Sequence, residues 1–214
     1  MNTDVFWLVL AGLALAFSVL AFARRLRTFN ALPRPMDRSV AKGSVRAGVV
    51  YAFTWGMMPW AKESTRRHVI AYTRGVGFHL GIFLGLGVLI ASPWLKSIGA
   101  EWRIALAVGI GAGALLGFAG FVARFVERNL RALSTRDDYF AVFIVSLFLT
   151  SASLWLITPA TAPIFYGVSA IMLVYAPLGK IRHCIYYAYS RLFFGKFVGR
   201  RAALPHSQQA KVTR

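Results

Sequence analysis

The sequence predicts an all-α membrane bundle of five transmembrane helices, with the N-terminus outside and the C-terminus in the cytoplasm. Three observations predict it. Five separate apolar runs each approach the ~20 residues that a bilayer core demands of a helix. Charge is scarce: 57% of the 214 residues are hydrophobic and 15% are charged, whereas a soluble domain carries about a quarter charged residues. The charge is also one-signed, 25 Lys and Arg against 7 Asp and Glu, and it is gathered between the apolar runs.

The first run, Val5–Phe22, follows Asn2 and Asp4 and is followed at once by Arg24, Arg25 and Arg27. A cleaved signal peptide has its basic residues first, so this is read as a retained helix that starts outside. The second run is Gly75–Ser92, the third Arg103–Phe125, the fourth Tyr139–Ile157 and the fifth Pro163–His183, the last continuing as helix to Phe197. The positive residues fall in three groups, from Arg24 to Arg74, from Arg124 to Arg136, and from Lys180 to the C-terminus. With the N-terminus outside, all three groups are cytoplasmic and only Lys96 and Arg103 lie opposite, as the positive-inside rule requires. Trp94, Trp102 and Trp155 are expected at the outer interface. Residues 1–203 form one transmembrane domain in this reading, and the polar stretch 204–214 is a disordered tail.

Two features stand beside the spans. The stretch Ala47–Trp60 is apolar and aromatic but too short to cross, which suits an interfacial anchor or a docking segment for a cytoplasmic partner. Gly77, Gly81 and Gly85 in the second run, and Gly109, Gly113 and Gly117 in the third, recur every four residues. That spacing lets membrane helices approach closely, and plain packing accounts for most of it.

Composition also excludes. A strongly basic composition in a soluble protein points to nucleic acid, but here the cations alternate with apolar spans, so no nucleic-acid partner is expected. One cysteine, Cys184, permits neither a disulfide framework nor an iron–sulfur cluster held by this chain alone. It is read as a buried thiol. A transporter is disfavoured, because no carboxylate lies within a span and no inverted repeat is visible. No nucleophile–base pair suggests a hydrolase.

Ionisable groups inside a bilayer ask for a reason. Of the four histidines, His206 falls in the tail, and His68, beside Arg66 and Arg67, reads as a solvated interface residue. His79 lies inside the second run and His183 at the inner end of the fifth. Imidazoles on two helices of a bundle are the usual axial ligands of a b-type haem. Gly75 and Gly179 each stand four residues before a histidine, leaving the gap a macrocycle needs. At 1.5 Å per residue, His79 is about 6 Å inside the inner boundary, and His183 is about 30 Å from the outer end of its helix. The two depths match near the inner face. Arg74, Lys180 and Arg182 lie at that level and suit either haem propionates or ordinary positive-inside flanking.

These residues resemble the gamma subunit of respiratory nitrate reductase, the membrane cytochrome b of that complex. The related b subunits of heterodisulfide reductase and of dissimilatory sulfur-metabolism complexes share the pattern. The resemblance rests on an F-H-[LI]-G-I run, here Phe78, His79, Leu80, Gly81 and Ile82, and on a P-x-[GS]-[KR]-x-x-H stretch, here Pro177, Gly179, Lys180 and His183. The Ser134–Thr135…Asp138 entry to the fourth helix is similar too. The resemblance implies five helices with the N-terminus outside. Members of that family hold two haems, but the places of the outer ligands here fall near Leu89 and Phe165, which do not bind iron. It therefore implies one haem b on the cytoplasmic side, with His79 and His183 as ligands. It further implies cytoplasmic iron–sulfur or oxidoreductase partner subunits, exchange with the quinone pool, and a place in a bacterial or archaeal cytoplasmic membrane. The chain would carry electrons and do no substrate chemistry alone. Losing the outer haem puts the family's outer quinol site in doubt. A quinone near the inner haem would have Tyr72, Arg74 and Tyr187 as polar neighbours. The alternative is a haem-free anchor or assembly subunit, whose histidines merely bond polar groups.

Overall fold

The computed structural model describes residues 3–33, 37–61 and 63–203. They form α1 (Thr3–Ala31), α2 (Val45–Phe53), α3 (Glu63–Arg67), α4 (Val69–Ala91), α5 (Ala100–Val126), α6 (Arg128–Leu133), α7 (Arg136–Ile157), α8 (Ala162–Tyr175) and α9 (His183–Arg200), with short 3-10 turns between some of them and no strand among the described residues. Proline places many of the boundaries. It lacks the N–H a helix interior needs and clashes with the preceding turn. Helices α1, α4, α7 and α8 all stop two residues before one, at Pro33, Pro93, Pro159 and Pro177. The start of α7 is set by a capping box: the Thr135 backbone N–H donates to Asp138 at 2.9 Å, and the Thr135 side chain caps the first turn.

Four helices, α1, α4, α5 and α7, are long and apolar enough to cross a membrane, or five if the broken pair 159–175 and 180–200 counts as one span. The fifth run is therefore not the continuous helix expected for Pro163–His183. Helix α8 ends at Tyr175, whose carbonyl accepts from the backbone N–H groups of Leu178 and Gly179. A short turn follows at Lys180–Arg182, and α9 begins at His183. Pro177 supplies the reason.

The chain divides into two compact units, Met1–Ala23 with Thr73–Arg182, and Arg24–Tyr72 with His183 onward. In the first unit, α5, α7 and α8 pack around fully buried Ile110, Phe148, Leu149 and Phe165. Phe165 stacks on Trp155 with ring centroids 4.9 Å apart. Trp155 is thus a core residue, 8% exposed, while Trp94 and Trp102 are 70% and 68% exposed. Hydroxyls inside this core bond locally, Ser146 to the Val142 carbonyl and Ser169 to that of Phe165. Ser153 of α7 instead reaches the Ala107 carbonyl on α5 at 2.8 Å. Helices α4 and α5 run antiparallel along a glycine seam. A Cβ on Gly81 would lie 2.8 Å from Gly113 Cα, and the Phe78 ring fills the place a side chain on Gly117 would take.

At the other end of α5, the Arg103 guanidinium donates from Nε and Nη2 to the Leu156 carbonyl, at 3.1 and 2.8 Å. This closes the C-terminus of α7, where orphan carbonyls and the negative end of the helix dipole favour a cation. Arg103→Ala is expected to destabilise the protein by about 1.5–3 kcal/mol, the worth of a hydrogen bond to a charged donor. A lowered thermal unfolding midpoint in detergent checks it.

The second unit holds 16 Lys and Arg against two acids, Asp37 and Glu63. Its centre is a tight pairing of α2 with α9. Gly48 faces Gly195 and Gly199 so closely that a Cβ on Gly48 would lie 2.6 Å from the Gly199 nitrogen. The C-terminal end of α9 is held to the chain before α2. Arg201 forms a two-pronged ion pair with Asp37 at 3.0 and 3.1 Å, Arg200 bonds the Ser39 carbonyl, and Lys42 N–H donates to the Arg200 carbonyl. The stretch Ala47–Trp60, expected as an interfacial anchor or docking segment, is thereby half of an internal helix pair. Residues 204–214, and His206 with them, lie outside the described residues.

Candidate functional site

Helix α4 carries His79 on the face opposite the core, where the side chain is exposed. Its Nδ1 lies 2.7 Å from the Gly75 carbonyl one turn earlier. A carbonyl only accepts, so Nδ1 is the donor in this bond. This is how metal-binding histidines are commonly oriented, one nitrogen fixed by a backbone carbonyl while the other presents its lone pair. A Cβ added to Gly75 would meet nothing within 4 Å. Gly12 and Gly87 are equally open, so it is the bond to His79 that singles out Gly75.

His183 is the first residue of α9 and is exposed. Because the fifth span is broken, Gly179 does not sit one helical turn below it. The Tyr175 ring lies over Gly179 and occupies the space a Cβ there would need. The break also changes Cys184, which sits exposed in the first turn of α9 instead of being a buried thiol.

The cations expected near propionates occupy different settings. Lys180 reaches the carboxylate of Asp138 at 3.2 Å, and the neighbouring Asp137 accepts a hydrogen bond from the Tyr175 hydroxyl. Arg182 donates to the Leu178 carbonyl at 3.2 Å. Arg74 is five residues from His79, about 140° around the helix at 3.6 residues per turn. Its Nε is 3.7 Å from where a Cβ on Gly120 would be, on the α5 side of α4. The structure therefore does not bring Arg74 onto the face of His79. Of the residues considered for quinone, Tyr72 donates to the Met57 carbonyl at 2.9 Å and Tyr187 to the Met57 sulfur, so both hydroxyls meet at one methionine of the second unit. His68 is exposed at the turn before α4.

The two places where the resemblance puts outer haem ligands are closed by packing. Leu89 is 7% exposed and Phe165 is fully buried, and both belong to the core of the first unit. Another opening of the first unit, an apolar groove of about 710 Å³ along α1, α7 and α8, is lined by residues such as Leu10, Phe17, Phe140 and Val174 and by no histidine or arginine. Among the described residues no cluster of three or more His, Cys, Asp or Glu side chains is poised for a metal ion, which a two-histidine haem site does not require.

On α4 the expected residues are present as one oriented imidazole next to an open glycine. On the α8–α9 side the expected gap at Gly179 is taken by Tyr175. Sequence reasoning missed that ring because it assumed an unbroken helix; Pro177 was the signal that could have shown it. No protein-family model, no curated protein and no solved structure matches the chain.

Proposed function

We propose that the chain is a haem b membrane-anchor subunit that carries electrons between the quinone pool and a cytoplasmic iron–sulfur partner in a bacterial or archaeal cytoplasmic membrane. The observation that carries this reading is His79, exposed on a membrane helix, with Nδ1 bonded to the Gly75 carbonyl and no side chain at Gly75 to block its approach. His79 and His183 would hold one haem, which supplies one-electron transfer when bound. The α4 backbone sets the His79 tautomer and orientation, and the break at Pro177 places His183 at a helix start. Lys180 and Arg182 supply the positive charge for the propionates, Lys180 sharing its ammonium with Asp138. Tyr72 and Tyr187 are the hydroxyls offered to a quinone, each exchanging its bond to Met57. The packed core at Leu89 and Phe165 supports a count of one haem.

A specific observation favours a second reading. The Tyr175 ring over Gly179 and the Lys180–Asp138 pair are self-contained, as they would be in a haem-free anchor or assembly subunit. Haem b per chain separates the two. One haem in the purified protein, read by reduced-minus-oxidised spectrum and pyridine haemochrome, is expected to fall to none in His79→Ala and in His183→Ala. Colourless wild-type protein, or haem unchanged in both variants, overturns the haem reading.

A further inference from the structure

At the end of the first unit that carries Arg124, Arg128 and Arg131, two guanidinium groups converge on one glycine. Arg124 Nη1 donates to the Gly120 carbonyl at 3.2 Å, and Arg74 Nε approaches the Cβ side of the same residue. The position of Arg124 is fixed further by Tyr139 of α7, whose hydroxyl donates to the Arg124 carbonyl at 2.9 Å. Among the described residues neither guanidinium takes part in an ion pair. The two acids of α7 are already used, Asp137 by Tyr175 and Asp138 by Thr135 and Lys180, and Glu127, three residues after Arg124, forms no ion pair with it. Most telling, Arg124 Nε is buried and has no hydrogen-bond acceptor. A buried donor on a permanently charged group without an acceptor is costly, and a guanidinium fork matches the oxygens of a phosphate.

Both residues lie near helix ends, Arg74 in the second turn of α4 and Arg124 two residues from the end of α5. On membrane-spanning helices that is headgroup depth, where basic pockets between helices take anionic lipids. We propose that Arg74 and Arg124 form a site for the phosphodiester of an anionic membrane lipid, seated over Gly120 in the α4–α5 seam. The assignment is independent of the haem reading. It gives Arg74 a partner on the α5 side of α4, away from His79.

The test is native mass spectrometry of the full chain in detergent, titrated with phosphatidylglycerol and, separately, with phosphatidylcholine. Wild-type protein is expected to hold one phosphatidylglycerol at least about tenfold more tightly than phosphatidylcholine, and Arg74→Gln and Arg124→Gln are each expected to lose about tenfold or more, the worth of one charge-assisted hydrogen bond. Arg128→Gln, exposed on α6, is expected to change nothing. Equal wild-type affinity for the two lipids overturns the proposal without reference to any variant. So does unchanged phosphatidylglycerol binding in both Gln variants when size exclusion shows them folded. Arg124→Lys, which keeps charge but not the fork, is expected to fall between wild type and Gln.

Discussion

Gly48→Val is expected to separate α2 from α9. The added side chain would be driven into the backbone of Gly195 and Gly199, with Gly199 Cα 2.5 Å from the new Cβ. Backbone atoms cannot swing aside as a flexible side chain can, so the helices themselves must part. The fit is as close from the other side: a Cβ on Gly195 would lie 2.6 Å from Val49 Cα, and one on Gly199 would lie 2.5 Å from the Ser44 carbonyl oxygen. Overpacking of a well-packed side-chain core costs about 1–3 kcal/mol, and a backbone-on-backbone clash should reach or exceed the top of that range. Amide hydrogen exchange across Val45–Phe53 is the measurement: protection of α2 should be lost. Gly87→Ala is the matched control. A Cβ there meets nothing within 4 Å, so the change is expected to be neutral or to stabilise α4 by up to about 1 kcal/mol through helix propensity. Retained protection in Gly48→Val would mean that the close approach of α2 and α9 is not what holds this unit together.

That helix pair also marks where the sequence stops being readable. The four long helices were legible, because a bilayer asks little more than length and apolarity of a span, and the runs around Val5–Phe22, Gly75–Ser92, Arg103–Phe125 and Tyr139–Ile157 all lie within or nearly within observed helices. The capping box at Thr135 and Asp138 was legible as a local motif for the same reason: its partners are three residues apart. Pairing at long range was not. Nothing local in Ala47–Trp60 announces that Gly48 meets Gly195 and Gly199, so an apolar stretch too short to cross reads as an interfacial anchor or a docking segment. The fifth run failed differently. Its apolarity is continuous, but Pro177 forbids continuous hydrogen bonding, and the Tyr175 ring then folds over the very glycine that periodicity had set beneath His183. Of the site, the identities of His79 and Gly75 were readable and so was their i, i+4 relation. The orientation of the imidazole, and the turn of Arg74 toward Gly120, depend on which face of α4 meets α5. That is settled by where Gly81 and Gly113 touch.

Phe165→Ala is the second large loss. Phe165 is fully buried, stacks on Trp155 at 15° between planes, and has Phe148 with centroids 6.3 Å away on a near-parallel ring. Inside a membrane the lipid is as apolar as the core, so the cost of removing the ring comes mainly from packing lost around a void. Large-to-small changes of this kind cost about 3–5 kcal/mol in soluble cores, and the aromatic contacts add to the packing at stake. A fall of that order in the free energy of unfolding, followed by circular dichroism on titration with a denaturing detergent, is expected. The same residue bears on function. A side chain this closely packed leaves no room for a porphyrin, so a second, outer haem would require the Phe148–Phe165–Trp155 stack to be dismantled. Paired substitution L89H with F165H, which restores histidine at both outer places, is therefore expected to destabilise the protein without raising haem b per chain. Two haems in that variant would show that ligand identity, rather than the filled core, is what excludes an outer haem.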